Sequence, residues 1–460
     1  MDRREKVTRR GFLKGAALTS GAIVLAACKP EVVKETVVVE KAVEKVVKET
    51  VIVEGTPQVV EKVVKETVIV EVKEPIEVVA WVNHEELIEL ADRFNAEQGA
   101  YKVKCEQQGS YAEISTKVQA ALAAGYVPAV PQFSRVYATA YIVAGALKAL
   151  DPFEEAEADW SWDQFIPSML ARGLWEGKNY AMPLARSTPA AYFNRAVFAD
   201  AGLPDRTPET WDEMREFCMK LTDADQDKYG YAFSNSKSST QWYFQALVYS
   251  QNAHISDEEC NVMIDSPETI AAVQTMADLV HKDKCAILKG SETKLFYGQS
   301  VPLIWSSIGS LQSRVKNSEF EVGIGQLPLD EGGKVPLGGS SLWILDGVED
   351  DEAQGAWEWL KSVAREDNQI WWLKKKGYAP FTYKAIDMLA DYFEEEPRYK
   401  AAVEWATGNA KRQECITIAP RSTQIFYNTM QEILLTDVPV ADVLQRAAEE
   451  LRADYAETYG

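Results

Sequence analysis

The sequence predicts an α/β body with largely parallel sheets, beginning at Pro75. Short strand-like segments alternate with amphipathic helical patterns beyond that residue, which is the arrangement of α/β proteins. About 385 residues follow Pro75, enough for two domains and more than one hydrophobic core usually spans. In open sheets of this kind ligands bind beyond the carboxyl ends of the strands, so we expect a site there.

The first elements of the body show this alternation. Residues 76–81 predict a strand, and residues 85–96 predict a helix with Leu87, Leu90, Ala91 and Phe94 on one face. The next strand and helix are predicted at 102–106 and 111–124.

The first 27 residues predict an export signal. Arg9 and Arg10 form a basic head, followed by the apolar run 15–27, and the paired arginines resemble a twin-arginine signal. The ending Leu25-Ala-Ala-Cys28 resembles a lipobox, in which Cys28 becomes the lipidated first residue of the mature chain. An uncleaved membrane helix is disfavoured because the apolar run is shorter than the roughly 20 residues that a bilayer requires.

Residues 28–75 predict a low-complexity membrane tether. A unit at 43–54 recurs at 60–71, and its valine alternation is typical of a strand while its Val-Glu-Lys spacing is compatible with a helix. Extended, about 45 residues would reach ~150 Å, which favours a spacer between membrane and body. The alternative is an oligomerisation stalk, built from a coiled coil or from paired strands.

The composition excludes some partners. The formal net charge is −21, and removing residues 1–27, with six Lys or Arg and two Asp or Glu, makes it −25. A surface this acidic repels phosphate backbones and anionic headgroups, which argues against nucleic acid as a partner. No run after Cys28 approaches a membrane-spanning length, so the lipid is the expected membrane anchor.

Cysteines and acidic residues give weaker signals. A Cys260–Cys285 bridge is permissible in an oxidising compartment, and a buried free thiol at each position is the alternative. Asp223, Asp225 and Asp227 have the spacing of a calcium loop, but the glycine and glutamate that such a loop needs further on are missing. We therefore expect a solvated acidic turn, with neither metal nor cofactor.

The familiar enzyme signatures are missing. The sequence has no Gly-x-Ser-x-Gly elbow, no Walker loop and no His-Glu-x-x-His, and its three histidines are far apart. We expect a protein that is not an enzyme. An anchored glycan-active hydrolase with paired carboxylates stays open as an alternative, since the 70 acidic residues allow many pairs. A surface adhesin is a third possibility.

Several segments occur in an order typical of a known family. They are 91–97, 187–194, 198–203, 306–311, 338–343 and 376–380. With these segments in this order, the chain resembles the family 1 extracellular solute-binding proteins of ABC importers, and especially the glycerol-3-phosphate-binding type and its sugar-binding relatives. The resemblance covers residues 76 to about 450.

The resemblance implies a two-lobed periplasmic-binding-protein-like fold of type II, with crossing hinge segments between the lobes. A solute would be held in the cleft by hinge closure, and an ABC permease would recognise the closed form. We expect a monomer on the extracytoplasmic face of the membrane. The implied lobes are 76–186 plus 338–385, and 187–337 plus 386–460.

The resemblance also implies which residues line the cleft, namely Tyr111, Ser187, Ser307, Gly339 and Tyr378. Three tryptophans are added as candidates, because aromatic faces stack on sugars and polyols. For each of them packing in a core is the alternative. The added tryptophans are Trp81, Trp242 and Trp305.

Two positions depart from the glycerol-3-phosphate type. Arg135 stands where that type has a glycerol-binding carboxylate, and Gln424 stands where it has the arginine that clamps phosphate, with Arg421 about one turn away. A guanidinium is the natural fork for phosphate, so a neutral amide there favours a neutral carbohydrate or polyol. A glycerophosphate or glycerophosphodiester is the alternative ligand.

Overall fold

The computed structural model describes residues 37–53, 56–72 and 74–459, with side chains from residue 74 onward. Its body has two five-stranded sheets covered by helices, and a separate two-stranded hairpin precedes the body. The predicted signal 1–27 and Cys28 lie outside the described residues. None of the helices in the described part of the chain is long and apolar enough to cross a bilayer.

The strands are numbered in chain order. They are β1 Val37–Val53, β2 Thr56–Val72, β3 Ile76–Val82, β4 Tyr101–Gln107, β5 Val130–Phe133, β6 Leu174–Trp175, β7 Lys178–Asn179, β8 Ala181–Ser187, β9 Pro189–Asn194, β10 Tyr231–Ala232, β11 Ala286–Ile287, β12 Leu303–Ser307, β13 Val322–Gly325, β14 Val335–Pro336, β15 Gly338–Trp343 and β16 Ala410–Lys411.

The α-helices are Glu86–Glu97, Tyr111–Ala123, Arg135–Val143, Asp151–Glu155, Pro167–Leu170, Arg195–Asp200, Trp211–Lys220, Lys237–Ser250, Pro267–His281, Glu292–Tyr297, Leu311–Asn317, Asp350–Ala364, Glu366–Lys376, Tyr383–Asp387, Ala390–Glu395, Pro397–Gly408, Ser422–Leu435 and Val440–Tyr459. Short 3₁₀ turns occur at Trp162–Gln164, Ala224–Gln226, Ile308–Ser310 and Cys415–Ile418.

The repetitive segment forms a hairpin rather than a helix. β1 and β2 pair antiparallel, with Val37 opposite Val72 and Val53 opposite Thr56. The chain therefore enters and leaves the hairpin at the same end, so the paired residues add little to the distance between membrane and body. The nine residues from Cys28 to Val37 span at most about 30 Å, far less than the ~150 Å of a fully extended tether.

The sheet of the first lobe has the strand order β4-β3-β5-β15-β8. β3 is parallel to β4 and β5, whereas β15 is antiparallel to β5 and β8. β3 forms because alternate residues face the core: Val78, Ala80 and Val82 are buried. On the neighbouring helix Leu87, Leu90, Ala91 and Phe94 are buried, which confirms the predicted apolar face.

The sheet of the second lobe has the order β11-β10-β12-β9-β13, and it too is largely parallel. β10 is parallel to β11 and β12, while β9 is antiparallel to β12 and β13. Each sheet thus contains one reversed strand. That strand is β15 in the first lobe and β9 in the second lobe.

The two reversed strands are the ones that enter from the other lobe. β8 ends at Ser187 and β9 begins at Pro189, so the chain crosses between lobes at Thr188. It returns where Leu337 leads into β15. At the first crossing Ser307, the carboxyl end of β12, lies opposite Pro189. The carboxyl edges of both sheets therefore meet the crossing segments, where a ligand site is expected.

The disulfide decides between two alternatives that the sequence left open. Cys260 is bonded to Cys415, with their Cα atoms 5.4 Å apart, and Cys285 is a buried free thiol. The Cys260–Cys285 bridge that the sequence permitted is therefore not formed, and the alternative of a buried free thiol holds for Cys285. Cys285 directly precedes the buried strand β11, where its carbonyl accepts a hydrogen bond from the Cys218 thiol at 2.9 Å.

The acidic segment 223–227 is a tight turn. Its 3₁₀ turn Ala224–Gln226 ends at Asp227, which has a left-handed φ of 53°. The Asp227 carboxylate lies 2.9 Å from the Lys289 ammonium group. Over the described ranges, no group of three or more His, Cys, Asp or Glu side chains is placed to hold a metal ion.

Candidate functional site

A cleft of about 480 Å³ opens between the two sheets at the crossing segments. One wall comes from loops that follow β3, β4 and β5, and the other from the segment after β12 and the helix Lys237–Ser250. Its floor is the hinge, at Ser187 and Gly338 to Gly339. This volume suits one small organic molecule.

The wall of the first lobe carries hydrogen-bonding aromatic side chains. Tyr111 begins the helix after β4, and Ser110 caps that helix in a capping box with Glu113. The Tyr111 hydroxyl lies 3.1 Å from Nε2 of His84, which follows β3. Burial raises the pKa of Tyr111 to about 12, so at neutral pH its hydroxyl keeps its proton and can donate to a ligand.

The floor of the cleft depends on glycine. Gly339 has φ +98°, and a Cβ there would overlap the carbonyl oxygen of Ala185 on the paired strand β8. On the same floor, Oγ of Ser187 lies 2.7 Å from Oγ of Ser307, which joins the crossing strand to the second lobe. This hydrogen bond links the end of β8 to the end of β12 at the hinge.

The wall of the second lobe is rich in serine. Ser306, Ser307 and Ser310 all line the cleft. The Ser307 hydroxyl accepts a hydrogen bond from the backbone N–H of Gly309 at 3.0 Å, while Ser310 precedes the helix Leu311–Asn317 without capping it through its side chain. Gly309 has no room for a Cβ because the ring of Tyr378 packs directly against it.

Trp242 and Tyr378 supply aromatic surface to the cleft. Trp242 is fixed by a 3.1 Å hydrogen bond from its Nε1 to the carbonyl of Pro336. Tyr378 stacks on Trp372, with ring centroids 6.0 Å apart, and meets His84 edge-on at 5.5 Å. Both rings are held in place before any ligand arrives.

Two buried arginines line the cleft. Arg172 is 3% exposed and donates to the Leu337 carbonyl and to Oε1 of Gln413, both at 2.7 Å. Burial, followed by the charge of Arg186, lowers the pKa of Arg172 to about 9, which leaves it cationic at neutral pH. It fastens the start of β15 to the second lobe.

Arg314 is the second buried arginine of the cleft. It is 9% exposed and donates to the hydroxyls of Tyr297 and Thr293 at 2.9 Å and of Ser306 at 3.0 Å. Its Nε has no hydrogen-bond partner. Among the residues with described side chains, no carboxylate forms an ion pair with Arg314.

The charge of the cleft is opposite to that of the whole chain. Arg186 lies just beneath the floor and bonds to the carbonyls of Met169 and Ser340, at 2.8 and 2.6 Å, rather than to a carboxylate. Glu292 is the acidic residue among those described as lining the cleft. A positive cleft in a chain of net charge −21 concentrates anions where they would bind.

His84 makes the stability of the body depend on pH. Burial, and then the nearby Lys376 charge, lower its pKa from 6.5 to about 4. As the pH falls from 6.5 towards 4, the unfolded chain therefore binds a proton at His84 that the folded chain does not bind. We expect the unfolding free energy of the parent chain to fall by on the order of 1–2 kcal/mol over this window, and that of His84→Gln to fall by less. Denaturant unfolding at several pH values measures both. Parallel curves for the two chains would contradict this.

Two of the candidate tryptophans lie away from the cleft. Trp81 donates from Nε1 to Oε2 of Glu106 at 3.1 Å and packs against Tyr126. Trp305 is 2% exposed and packs in the core of the second lobe against Tyr231. Trp305 immediately precedes Ser306 in β12, and because side chains alternate along a strand the serine and the tryptophan face opposite sides.

The two positions that depart from the family pattern also lie off the cleft surface. Arg135 is buried behind the wall and donates to the carbonyls of Ala171 and Leu174 at 3.0 and 3.2 Å. Gln424 donates to Oδ1 of Asn428 at 2.6 Å along its own helix. Arg421 forms an ion pair with Asp454 at 2.9 Å. Neither Arg135 nor Arg421 replaces the missing phosphate arginine.

The structure places the other candidates on the cleft surface, where their contact with ligand stays a prediction. They are Tyr111, Ser187, Trp242, Ser307, Gly339 and Tyr378. Sequence reasoning missed His84, Arg172 and Arg314. Arg314 had a usable signal, since it lies one helical turn beyond Ser310 and so shares its side of the helix. Arg172 lies in an irregular segment and had none.

Comparisons with known proteins agree with this architecture. A family model described as bacterial extracellular solute-binding protein matches residues 89–404. The sn-glycerol-3-phosphate-binding periplasmic protein UgpB of Escherichia coli K12 is 28% identical over 336 residues, covering 68% of this chain and 75% of its own.

Solved structures extend the likeness to the fold. UgpB from Mycobacterium tuberculosis in complex with glycerophosphocholine has a TM-score of 0.77 at 24% identity, covering 84% of this chain and 99% of its own. A solute-binding protein from Thermotoga lettingae bound with α-D-tagatose has a TM-score of 0.72 at 18% identity, covering 82% and 99%. These neighbours confirm the two-lobed fold of type II.

Proposed function

Because the chain belongs to the bacterial extracellular solute-binding protein family, we propose that it captures a phosphate ester of a polyol in its interlobe cleft for an ABC permease. The observation that carries this choice is the pair Arg172 and Arg314, which are buried at the cleft with no carboxylate partner among the side chains from residue 74 onward. Desolvated cations without counter-charges stabilise an anionic ligand far more than a neutral one.

This choice reverses the preference drawn from Gln424. A neutral amide at that position favoured a neutral ligand, but the Gln424 side chain bonds along its own helix and the cleft has its guanidinium at Arg314 instead. Arg314 offers a positive charge at this wall of the cleft, and Ser306, Ser307 and Ser310 beside it offer hydroxyls to a phosphoryl group. The E. coli relative named for glycerol 3-phosphate supports the same ligand class.

A neutral carbohydrate or polyol is the second candidate ligand. Trp242 and Tyr378 offer faces to the C–H surface of a sugar, and Tyr111 and Ser187 offer hydroxyls. The Thermotoga neighbour bound with tagatose shows the same fold holding a neutral sugar. In the phosphate-ester proposal these residues hold the polyol half of the ligand.

The cellular setting follows from the family and from the N-terminal sequence. The family is extracytoplasmic. We propose export by the twin-arginine route and lipidation at Cys28, which would place the body at the outer face of the membrane beside its permease. Each body would bind one solute molecule independently of other copies, without a cofactor, and would release the solute chemically unchanged.

Closure of the lobes would allow the permease to recognise that solute is bound. Tyr111 lines the wall of the first lobe and Ser306 lines the wall of the second, so a ligand that touches both walls makes more contacts in the closed arrangement and stabilises it. A ligand can shift the two states only by its difference in affinity for them. The permease would then distinguish loaded from empty bodies by their shape.

Calorimetry with paired ligands tests the proposal. Glycerol 3-phosphate and glycerophosphodiesters are expected to bind and to raise the melting temperature, whereas glycerol at the same concentration is not. Recovery of the ligand unchanged, without release of reducing ends from glycans, separates binding from hydrolysis. Tight binding of a neutral sugar with no response to phosphate esters would overturn the ligand class.

Loss of either aromatic face should weaken binding. Trp242→Ala and Tyr378→Ala are each expected to cost about 1–3 kcal/mol of binding free energy in calorimetry, because each removes a pre-positioned contact surface. Trp81→Ala is the matched control, since that ring packs on Tyr126 outside the cleft. Equal affinities in all three variants would remove Trp242 and Tyr378 from the site.

A further inference from the structure

The hairpin that precedes the body has open edges. Over the described residues β1 pairs with β2 and with no strand of the other sheets. The outer edge of each strand therefore presents backbone N–H and C=O groups that no neighbouring strand satisfies. An isolated two-stranded sheet is at best marginally stable in water. The hairpin is thus poised to accept a further strand.

The register of the hairpin leaves Lys62 and Glu66, on one face of β2, without opposite charges. Lys62 is opposite Val47, and Glu66 is opposite Val43. All four positions belong to the same face, since residues directly opposite one another share a face. On the other face two charge pairs are matched within the chain, at Glu44–Lys65 and Lys48–Glu61, while Glu71 lies opposite Val38.

β2 is self-complementary about its own midpoint. The strand Thr56–Val72 has 17 residues and Val64 is its centre. When two copies of β2 lie antiparallel with Val64 opposite Val64, Lys62 of each copy lies opposite Glu66 of the other. No two like charges face each other anywhere along this pairing. Opposite charges at directly paired positions stabilise adjacent strands.

We propose that two copies of this chain associate through their β2 edges into one four-stranded antiparallel sheet, in the order β1-β2-β2-β1. The arrangement is a closed two-fold dimer, the commonest symmetry of soluble assemblies. It gives the repetitive segment a role in pairing rather than in spacing. Solute capture by each body is independent of it.

The geometry leaves room for both bodies. Because the two β2 strands run in opposite directions over their full length, the two Val72 residues lie at opposite ends of the shared sheet. At ~3.3 Å per residue these ends are about 50 Å apart, which is similar to the diameter of a body of this size. Both chains can also start from one membrane, since the two-fold axis is perpendicular to the sheet.

The β1 edge is a poorer partner for itself. The midpoint of Val37–Val53 is Lys45, so full antiparallel overlap of two β1 strands places Lys45 opposite Lys45. Like charges directly opposite destabilise strand pairing. The pattern therefore selects the β2 edge.

Cysteine crosslinking in membranes that contain the full-length chain tests the pairing. Val64→Cys is expected to give a disulfide-linked dimer on mild oxidation, because paired Cβ positions lie about 4.5–5.5 Å apart. Val47→Cys is the matched control on β1 and is expected to stay monomeric. The parent chain, treated alike, accounts for its native thiols. No dimer from Val64→Cys, or equal dimer from Val47→Cys, overturns the proposal.

Exchanging the charges at positions 62 and 66 provides a second test of the pairing. In the Val64→Cys chain, Lys62→Glu or Glu66→Lys alone is expected to reduce dimer yield several-fold, because each places like charges opposite one another. The double exchange K62E/E66K is expected to restore the yield. Failure of the double variant to recover, with solute affinity of the body unchanged, would also overturn the proposal.

Discussion

Arg314→Gln is expected to reduce affinity for a phosphate ester more than 100-fold, about 3 kcal/mol, with little change in affinity for the matching neutral polyol. Arg314 lines the cleft, is buried and has no ion-pair partner among the described side chains, so the phosphoryl group would supply its missing counter-charge. Calorimetry with glycerol 3-phosphate and glycerol measures the difference directly.

Two further arginine variants serve as controls for this measurement. Arg421→Gln makes the same chemical change at an arginine that pairs with Asp454 outside the cleft, and its affinity is expected to equal that of the parent chain. Arg314→Lys keeps the charge but loses the planar fork, so an intermediate affinity is expected. If Arg314→Gln and Arg421→Gln bind the phosphate ester equally well, Arg314 does not bind the phosphoryl group.

Gly339→Ala is expected to destabilise the body by on the order of 3–5 kcal/mol and to abolish solute binding. A Cβ at φ +98° would overlap the backbone carbonyl of Ala185, and neither strand can yield without breaking the pairing of β15 with β8. Because this pair forms the floor of the cleft, the same distortion would move Ser187. Urea unfolding and calorimetry on the same sample measure both effects.

Gly145→Ala separates the two causes of that loss. Gly145 also has a positive φ, +66°, but nothing lies within 4 Å of the position that a Cβ would take. Only the conformational penalty applies there, so we expect a loss of about 1 kcal/mol with solute binding intact. Equal losses in the two variants would show that the close approach of β8 contributes nothing.

The sequence was informative where local patterns decide the structure. The strand β3 and the apolar face of the next helix are set by residues one to four positions apart, and both were predicted correctly. The position of the site at the carboxyl edges of the sheets followed from the fold class alone. Ser187 and Ser307 lie on the cleft because both end strands at that edge.

The predictions that the structure did not support concern contacts between residues far apart in sequence. Cys260 and Cys415 are 155 residues apart, so nothing local indicated their pairing. Trp305 faces a core because a shift of one residue along a strand reverses the side that a residue faces. Arg135 is held by carbonyls of a segment nearly 40 residues away, which removed it from the cleft.

Small-angle scattering with and without ligand tests the central claim most directly: a two-lobed body closes on an intact phosphate ester. A smaller radius of gyration is expected at saturating glycerophosphodiester or glycerol 3-phosphate, with no change for Gly339→Ala, and the released ligand should be chemically unchanged. An unchanged radius while calorimetry reports binding, or conversion of the ligand during the measurement, would contradict the claim.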